Sequence, residues 1–404
     1  MRFLRSSSVA LFLALGFAAS AYAGGFQLNE HGARAMAQAG AFAARATDAS
    51  AIYFNPAGLG FQTTPSVYVG TTAILFASSF YGPLQNNTNN ETKLKSQVFT
   101  PINAYIAYPI TDDIHVGFGI NNPFGLGTEW PENWTGKFLT TKIDLATFFF
   151  SPTVAYKLTD QLSLGAGATY ATGDVTLQRA VATGFGDPRL KLDMSGHGWG
   201  WFAGALYKIT PDLSAGLSYR SKVTVDASGT AAFTPAYSVL PNGDASASLS
   251  LPATGYAGVA YKVSENLEVE ADYQYIGWSS YSELAITFKA TNSTSVSPKN
   301  YQDTYILRIG GEYTIDKLHL RGGYYYDHSP VKTEYSEPLL PDANRNGINL
   351  GLGYDLNPHL SVDIAYLLIL FEDRKAVNTV PEINFDGTYK TTANLVALNF
   401  GYRF

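Results

Sequence analysis

The chain has 404 residues, of which 15% are charged and 14% aromatic, and it contains no cysteine. This composition excludes a disordered chain, a disulfide-stapled secreted domain and a cysteine-ligated metal protein. The formal net charge of −6 argues against nucleic acid as a partner, because phosphate binding requires clustered Lys and Arg. The histidines show no ligand spacing and no G-x-S-x-G motif is present, so we expect no metal, no cofactor and no enzyme active site.

Residues 1–23 have the pattern of a secretory signal peptide. Arg2 and Arg5 precede an apolar run, and the A-x-A pattern Ala21-Tyr22-Ala23 follows it. We therefore expect a mature chain that begins at Gly24 and carries a net charge of −6 − 2 = −8. An uncleaved N-terminal anchor helix is the alternative, although the apolar run is shorter than a full membrane span.

Residues 24–64, called here the N-terminal segment, show no strand-like alternation. The alanine-rich stretch Ala33 to Ala46 favours a helix, and a break follows at Asn55-Pro56-Ala57-Gly58. The segment has too few charges for a solvated linker and too many small residues to fold alone. It directly precedes the strands predicted below, so we expect it to fold inside a barrel as a plug.

Residues 65–404 repeat one unit, a strand of about 10 to 14 residues, a short turn, a second strand and a longer polar loop. Six short turns are predicted, at 111–113, 159–161, 210–212, 264–266, 315–316 and 357–358. Seven longer connections are predicted, near 77–96, 126–139, 177–196, 227–249, 291–300, 329–342 and 372–388. Thirteen connections join fourteen strands, which predicts an all-β, 14-stranded antiparallel transmembrane β-barrel.

One face of each tested strand is consistently apolar. In the last strand Leu398, Phe400, Tyr402 and Phe404 share a face. A soluble sandwich would also alternate, but the tyrosines concentrate beside the short turns, as an interfacial aromatic girdle does. In 360–371 the inner face ends in Leu367, Ile369 and Phe371, which indicates either a greasy lumen or a strand extension under a loop.

The third predicted strand contains Asn121-Asn122-Pro123-Phe124-Gly125. Proline has no N–H to donate and glycine weakens a strand, so ladder pairing is expected to fail there. An unpaired backbone edge in lipid costs several kcal/mol and must be covered or used. The interruption is therefore either a lateral opening or a bulge at the rim of the barrel.

Several short motifs, taken in order, resemble the FadL family of outer-membrane transporters, which import long-chain fatty acids or hydrocarbons. They cover essentially all of the predicted mature chain: Gly25 to Glu30, Asn55-Pro56-Ala57, Asn121 to Glu129, Tyr219-Arg220-Ser221, Trp278-Ser279, Asp303-Thr304-Tyr305 and Asp327 to Val331. The resemblance implies a passive channel that captures a hydrophobic ligand at loops 177–196 and 227–249. It further implies release through a gap in the barrel wall at 121–125.

The resemblance also assigns roles to single residues. It implies that Phe26 enters the ligand pocket and that Asn55, with Pro56 and Ala57, ties the N-terminal segment to the wall. Arg179, Arg220 and Arg308 are candidates for a ligand carboxylate, unless they pair with Glu268, Glu270 or Glu312 instead. Apolar loop residues are candidates for ligand capture, namely Phe185, Phe233, Tyr237 and Leu240.

The sequence is also compatible with other functions of an outer-membrane barrel. The barrel could be a porin-like channel for small polar solutes, a structural or adhesive protein, or an enzyme with a lipase site on its wall. As partners we expect a hydrophobic small molecule, outer-membrane lipids and lipopolysaccharide, and the barrel assembly machinery through the C-terminal Phe404. We expect a monomer in the outer membrane of a Gram-negative bacterium, working by diffusion down a gradient.

Overall fold

The computed structural model describes residues 24–83, 90–184 and 186–404. The predicted signal peptide at 1–23 and the candidate Phe185 lie outside these residues. Within them, no helix is long and apolar enough to cross a membrane.

The chain forms a closed antiparallel β-barrel of fourteen strands, as the turn count predicts. Some strands are interrupted, and their segments are given together: β1 Ser66–Tyr81; β2 Glu91–Lys93, Gln97–Phe99 and Ile102–Pro109; β3 Ile114–Asn121 and Gly125–Glu129; β4 Lys142–Lys157; β5 Leu162–Ala180; β6 Arg189–Thr210; β7 Leu213–Arg220 and Val223–Thr234; β8 Gly243–Leu251 and Thr254–Lys262; β9 Leu267–Ile276 and Glu283–Phe288; β10 Ser293–Pro298 and Thr304–Ile315; β11 Leu318–Asp327; β12 Arg345–Asp355; β13 Leu360–Phe371 and Arg374–Ala376; β14 Gly387–Arg403. Each strand pairs with the next, and β14 pairs with β1 from Ser66↔Arg403 to Tyr81↔Thr388.

Five of the six short turns are stabilised by the same pattern of side-chain-to-backbone hydrogen bonds. In the turn after β2, Thr111 Oγ1 accepts hydrogen bonds from the backbone N–H groups of Asp113 and Ile114. Thr159, Thr210, Ser264 and Asn357 do the same in their own turns. Such local bonds favour turns over continued strand. The sixth turn contains Asp316 in a left-handed conformation, with φ 54°.

The predicted outer face is confirmed by exposure. Leu398, Phe400 and Tyr402 are 41% to 46% exposed, whereas Ala397 and Asn399 are fully buried. The predicted girdle is also present: an exposed tyrosine stands near the short-turn end of every even-numbered strand, namely Tyr108, Tyr156, Tyr207, Tyr261, Tyr313, Tyr354 and Tyr402. A ring of tyrosines at one height is typical of a membrane interface.

The N-terminal segment contacts inward-facing side chains on several sides of the barrel, so it lies in the lumen. The Asn399 side chain on β14 accepts from Ala33 N at 3.0 Å, Asn349 on β12 donates to Met36 O at 2.6 Å, and Ser218 on β7 donates to Phe54 O at 2.6 Å. Small residues allow this close approach. A β-carbon on Gly165 or Gly204 of the wall would collide with the Asn55–Pro56 main chain or side chains.

The predicted helix over Ala33 to Ala46 is wrong in length. The segment has helices α1, Ala33–Ala37, and α2, Ala51–Phe54, followed by a 3₁₀ turn at Pro56–Phe61. Helix α1 ends because Ala39 and Gly40 adopt left-handed φ values of 61° and 72°, and Gly40 N bonds back to Ala35 O. Tertiary bonds from the wall hold the next residues, which overrides the helical propensity of alanine.

Candidate functional site

Strand β3 is broken at 122–124, and its two segments differ in their partners. The lower segment, Ile114–Asn121, pairs with both β2 and β4. The upper segment, Gly125–Glu129, is in ladder register with β4 alone. Between the upper parts of β2 and β3 the polar contacts among the described residues are a single main-chain bond, Lys95 N to Glu129 O, and an ion pair of the same residues. The barrel wall therefore has a gap in its ladder beside the break, as the Pro-Gly pattern predicts.

The main-chain groups at the break are bonded to side chains and to the N-terminal segment. Thr147 Oγ1 donates to Phe124 O, and Asn122 Oδ1 accepts from Ile102 N at 2.8 Å. Leu28 N donates to Pro123 O at 2.9 Å, and Gly125 N donates to Phe26 O at 3.1 Å. These bonds replace ladder partners that lipid cannot supply, so the break is compatible with a membrane-spanning wall.

Phe26 packs in a cage of aromatic rings just inside the break. Its ring centroid lies 4.7 Å from that of Trp278, 5.7 Å from Tyr281 and 6.1 Å from Phe124, each in an edge-to-face arrangement. The Phe26 side chain is 5% exposed. Edge-to-face ring pairs add to the energy of apolar burial, so the first residues of the segment are held firmly against the wall.

A cavity of about 390 Å³ lies between these first residues and the gap in the wall. Its apolar lining comes from the N-terminal segment, from the edges of the gap, and from β1, β4, β13 and β14. The lining includes Phe26, Leu28, Val98, Phe99, Phe124, Leu126, Ile369, Phe371 and Leu395. Of the two interpretations of Ile369 and Phe371, an apolar lumen is therefore the correct one.

Two further cavities extend the interior toward the two ends of the barrel. A narrow apolar cavity of about 70 Å³ shares Phe26, Leu126 and Leu340 with the first and continues toward the long loops. A polar cavity of about 420 Å³ opens at the short-turn end and is lined by charged residues including Arg34, Asp48 and Lys208. Residues of the N-terminal segment line both sides, so the segment separates the apolar cavities from the polar one.

One end of the main cavity is acidic. Glu30 and Asp342 line it together with Arg345, and Arg345 Nη2 lies 3.0 Å from Asp327 Oδ2. Burial raises the pKa of Asp342 to about 6, although Arg345 opposes this shift. Burial likewise raises the pKa of Glu30. Burial removes water from these carboxylates, so keeping them ionised costs free energy. The charge at this end therefore affects which ligands the cavity binds.

Comparison with known proteins decides the family of the chain. A family model described as outer membrane protein transport protein (OMPP1/FadL/TodX) matches residues 14–404. The chain belongs to this family. It is 27% identical over 455 residues to Outer membrane protein P1 of Haemophilus influenzae, and 26% identical over 446 residues to the long-chain fatty acid transport protein of Escherichia coli K12, with 98% of each chain covered in both cases.

Solved structures of family members have the same fold. A Pseudomonas aeruginosa FadL homologue superposes with a TM-score of 0.86 at 21% identity, covering 94% of this chain and 100% of that one. The Pseudomonas putida toluene transporter TodX gives a TM-score of 0.75 at 20% identity, covering 94% and 98%. The chain is therefore an outer-membrane barrel of a family of transporters for hydrophobic compounds, and its relatives are channels rather than enzymes.

The FadL-type motif at Asn55 makes three hydrogen bonds at the base of the N-terminal segment. Asn55 Nδ2 donates to Ala205 O of the wall at 3.0 Å and to Ala43 O at 2.8 Å, while Asn55 Oδ1 accepts from Ala57 N at 3.2 Å. Pro56 begins the 3₁₀ turn, where a missing N–H leaves no unsatisfied donor. The motif thus contacts both the wall and the segment.

Two of the candidate arginines lie away from the apolar cavities and bind the N-terminal segment. Arg220 donates to Tyr53 O at 3.0 Å and stacks on the rings of Tyr53 and Phe202. Arg308 donates to Ala39 O at 2.7 Å and to Asn29 Oδ1 at 3.0 Å. Their guanidinium groups are occupied by carbonyl and amide oxygens rather than by the three glutamates that we considered.

Those glutamates hold the N-terminal segment in another way. Arg45 of the segment, which the sequence reasoning passed over, pairs with Glu268 at 2.9 Å and with Glu312 at 3.2 Å. Glu270 accepts a hydrogen bond from Ala44 N at 2.6 Å. The sequence did contain a signal for this contact. An arginine in an alanine-rich stretch that is expected inside a barrel requires an acidic partner.

The third arginine lies beside a buried ion pair nearer the long loops. Arg179, Lys299 and Glu337 line one small cavity, and Lys299 Nζ is paired with the Glu337 carboxylate. Lys299 is 2% exposed and Glu337 is 8% exposed. Arg179 is half-buried on the inner face of β5, and its guanidinium interacts electrostatically with the Glu337 carboxylate across this cavity.

The predicted loops 177–196 and 227–249 are largely wrong. Strand β5 continues to Ala180, β6 begins at Arg189, β7 runs to Thr234 and β8 starts at Gly243. The connections are only 181–188 and 235–242. The predicted connection 291–300 likewise contains strand, the β10 segment Ser293–Pro298.

The extended strands direct their apolar residues inward. Phe233, Leu177, Leu190 and Leu192 form a buried cluster, and Leu240 packs against it from the 235–242 connection. Tyr237 forms an isolated β-bridge with Leu240 and is half-buried. Of the candidate capture residues that the structure describes, all three therefore lie on or beside one apolar cluster at the long-loop end.

Two aromatic residues of the cage were missed as site residues. Trp278 and Tyr281 lie where β9 is interrupted, at 277–282, and Trp278 is fully buried. The motif Trp278-Ser279 supported the family resemblance but gave no reason to direct the indole inward. Strand β9 is interrupted because Gly277 weakens it and because the large rings of the next residues turn inward. The alternation of apolar and polar residues does not reveal this change of direction.

His31 links the N-terminal segment to the break in β3. Its Nε2 bonds to Leu28 O at 2.9 Å and its Nδ1 to Asn121 Nδ2 at 3.1 Å, so Nε2 carries the proton. Burial lowers the pKa of His31 from 6.5 to about 3. The ring is therefore neutral while the segment is docked.

Acid is expected to favour release of the segment through His31. Below pH 6.5 a released, hydrated His31 binds a proton that the docked ring refuses, so the docked state loses about tenfold in population per pH unit down to about pH 3. The raised pKa of Glu30 acts in the opposite direction. We therefore predict that bilayer conductance of wild type relative to His31→Gln rises as the pH falls from 7 to 5. A ratio that stays constant would contradict this role.

Proposed function

We propose that the protein is a passive outer-membrane uptake channel for hydrophobic compounds, either long-chain fatty acids or hydrocarbons. The ligand is captured at the long-loop end, within the ranges 177–196 and 227–249. It moves to the cavity beside Phe26 and leaves sideways between β2 and β3, at the break Asn121 to Gly125. Supporting this proposal, relatives in the same family are named as a long-chain fatty acid transport protein and as toluene transporters.

The observation that carries the proposal is the position of the main cavity. Its lining includes both edges of the gap, Val98 and Phe99 on β2 and Phe124 to Gly127 on β3. The ring of Phe99 lies against Gly127, where a β-carbon would leave it no room. A flexible aromatic side chain, rather than a hydrogen-bonded ladder, therefore covers the opening. Rotation of one ring costs far less than breaking paired backbone in lipid.

Capture at the long-loop end is supported by the apolar cluster there. Its inner surface joins the narrow cavity that shares Phe26 and Leu340 with the main one. A hydrophobic ligand that enters between the 181–188 and 235–242 connections meets mainly apolar surface from this cluster, through the narrow cavity, to Phe26. Burial of apolar surface, about 25 cal/mol per Å², supplies the driving force for entry.

The ligand's polar group, if it has one, meets different charges at the two ends of this route. Arg179 and Lys299 lie near the capture cluster, and Glu337 offsets one of them. Glu30 and Asp342 lie at the end of the main cavity. A carboxylate is attracted at the first position and repelled at the second, whereas a neutral hydrocarbon is indifferent to both. This favours hydrocarbons over fatty acids in the main cavity.

Uptake by cells that lack their own importer tests the proposal. Labelled oleate and labelled toluene are supplied separately, with cells carrying the empty vector as background. We expect toluene to enter well above background and oleate to enter less. Entry of neither compound would refute transport of hydrophobic compounds.

A porin-like channel is the second candidate and is tested in planar bilayers. The N-terminal segment lies across the lumen and separates the apolar cavities from the polar one, so we expect little steady ion conductance. A large, steady conductance in the intact protein would favour the porin. Normal assembly with no uptake and no conductance would instead favour a structural or adhesive barrel.

A further inference from the structure

The barrel wall has a second interruption of its ladder, between β8 and β9. The upper part of this ladder ends at Ala247↔Ile286, and the lower part begins at Thr254↔Ile276. Six residues of β8 therefore stand beside nine residues of β9. Antiparallel pairing matches residues one to one, so three extra residues in one strand interrupt the ladder. The β8–β9 gap comprises residues 248–253 and 277–285.

The interrupted part of β9 is bonded to β10 but hardly to β8. Ser282 O accepts from Lys299 N and from Asn300 N, both at 2.8 Å. On the other side, the described residues of the gap share one main-chain bond, Gly277 N to Ala253 O at 2.9 Å. Main-chain groups without partners need water, because lipid cannot bond them. The β8–β9 gap is therefore suited to the membrane surface rather than to the hydrocarbon.

The position of the gap along β9 agrees with such a location. Gly277 stands ten residues after Leu267, the first residue of β9. In a tilted strand this corresponds to about 25 Å along the membrane normal, which is the height of the apolar band. At the same level the exposed Asp303 accepts from the Tyr275 hydroxyl at 2.6 Å and from Ser279 N at 2.8 Å. An exposed carboxylate lies among headgroups or in water, so the gap opens at the outer surface of the membrane.

The rim of the β8–β9 gap is polar, whereas the space behind it is apolar. The exposed residues at the rim are Ser248, Ser279, Ser282 and Glu283. The narrow cavity of about 70 Å³ has lining residues from both edges of the gap, Leu249 of β8 and Tyr281 and Leu284 of β9. Side chains rather than a hydrogen-bonded ladder therefore separate this cavity from the outer surface.

Phe26 lies between the two gaps of the wall. The β8–β9 gap is six strands away from the gap between β2 and β3 in a barrel of fourteen, so the two are nearly opposite. The Phe26 ring contacts Trp278 and Tyr281 at the first and Phe124 at the second. The narrow cavity also shares Phe26 with the main cavity. A molecule that passes the β8–β9 gap thus reaches the main cavity over mainly apolar surface.

We propose that the β8–β9 gap is a lateral entrance for hydrophobic compounds dissolved in the outer leaflet of the membrane. The compound crosses the serine rim, displaces the Tyr281 ring, and moves through the narrow cavity past Phe26. Apolar compounds leave water for the leaflet, so an entrance beside the leaflet meets them at a higher concentration than the loops do. This entrance depends on the proposed function and adds a second way in to capture at the long-loop end.

The first test covers the rim with a thiol reagent, which is selective because the chain has no cysteine. Ser250 follows the inward Leu249 in the gap and faces outward. Cells with Ser250→Cys are treated with methyl methanethiosulfonate or with a bulky, biotin-linked methanethiosulfonate, and mass spectrometry verifies complete modification. We expect the bulky adduct to reduce uptake of labelled toluene to half or less, and the methyl adduct to leave it unchanged.

The matched control is Thr287→Cys. Thr287 is a half-buried residue of β9 that is paired on both sides, with Ser246 and Thr294, so its bulky adduct should leave uptake unchanged. Unchanged uptake after complete modification of Ser250→Cys, or an equal loss at both positions, would overturn the entrance. If wild type takes up no toluene above the empty-vector background, the proposed function fails, and the second test still decides on the entrance.

The second test measures access to the narrow cavity without transport. Leu249 and Leu192 both line this cavity, but Leu192 lies nearer the long loops and is paired with Leu177 and Ala231 on its two sides. Purified Leu249→Cys and Leu192→Cys variants in lipid vesicles react with N-phenylmaleimide, an uncharged reagent that dissolves in lipid. Each rate is divided by that of the same variant unfolded in urea. We expect about fivefold or faster reaction at position 249, because a paired wall must first open locally. Equal rates, or faster reaction at position 192, would contradict lateral entry.

Discussion

Deletion of Asn122–Phe124 is expected to abolish uptake while leaving the barrel assembled. The deletion joins Asn121 to Gly125, and Leu126 then lies two residues after Asn121, on the same inward face that it has now. Strand β3 becomes continuous, so its upper half can pair with β2 and close the gap. We predict that uptake of labelled toluene falls to the level of cells with the empty vector.

The control for this deletion separates a closed exit from a damaged barrel. Assembly is followed by heat-modifiable gel migration, and leakage by bilayer conductance, since loss of Phe124 also removes a neighbour of Phe26. Pro123→Ala restores one N–H donor at the break and should reduce uptake only partly. Pro131→Ala, at an exposed position just above β3, should have no effect. A deletion variant that assembles and transports at the wild-type rate would exclude lateral exit at this site.

The strand count and the membrane-facing residues could be predicted because local chemistry determines both. Thr111, Thr159, Thr210, Ser264 and Asn357 each form a turn with their own side chain. Between the turns a period of two sets which side chains meet lipid, as for Leu398 and Phe400. Neither signal depends on distant residues, which is why sequence alone was sufficient.

The upper strands could not be predicted in the same way because the pattern reverses above the membrane. In β6 the apolar residues Leu190, Leu192 and Met194 are buried inside, while Lys191 and Ser195 are exposed. We predicted a strand where one face was apolar and faced outward. Above the membrane the outer face contacts water, so its residues are polar and this signal is lost. The polar outward residues therefore resembled a loop.

The roles of the lumenal arginines depend on partners that leave no trace in the sequence. Arg220 and Arg308 bind main-chain carbonyls at Tyr53 and Ala39, and every residue has a carbonyl. Which of them faces an arginine depends on how the N-terminal segment folds. That fold departs from helical propensity at Ala39, so local rules could not locate the contacts.

Phe26→Ala is expected to loosen the N-terminal segment and open the lumen to ions. The variant removes a buried ring that contacts Trp278, Tyr281 and Phe124, and large-to-small changes of this kind cost about 3–5 kcal/mol. The loss falls on docking of the segment rather than on the barrel ladder, because Phe26 belongs to no barrel strand. We predict bilayer conductance at least tenfold above wild type with unchanged heat-modifiable migration.

Phe26→Leu, which keeps most of the side-chain volume, should give an intermediate value. Phe118→Ala removes a 40% exposed ring from the outward face of β3 and should conduct like wild type. If Phe26→Ala conducts no more than Phe118→Ala, the aromatic cage does not hold the segment in place.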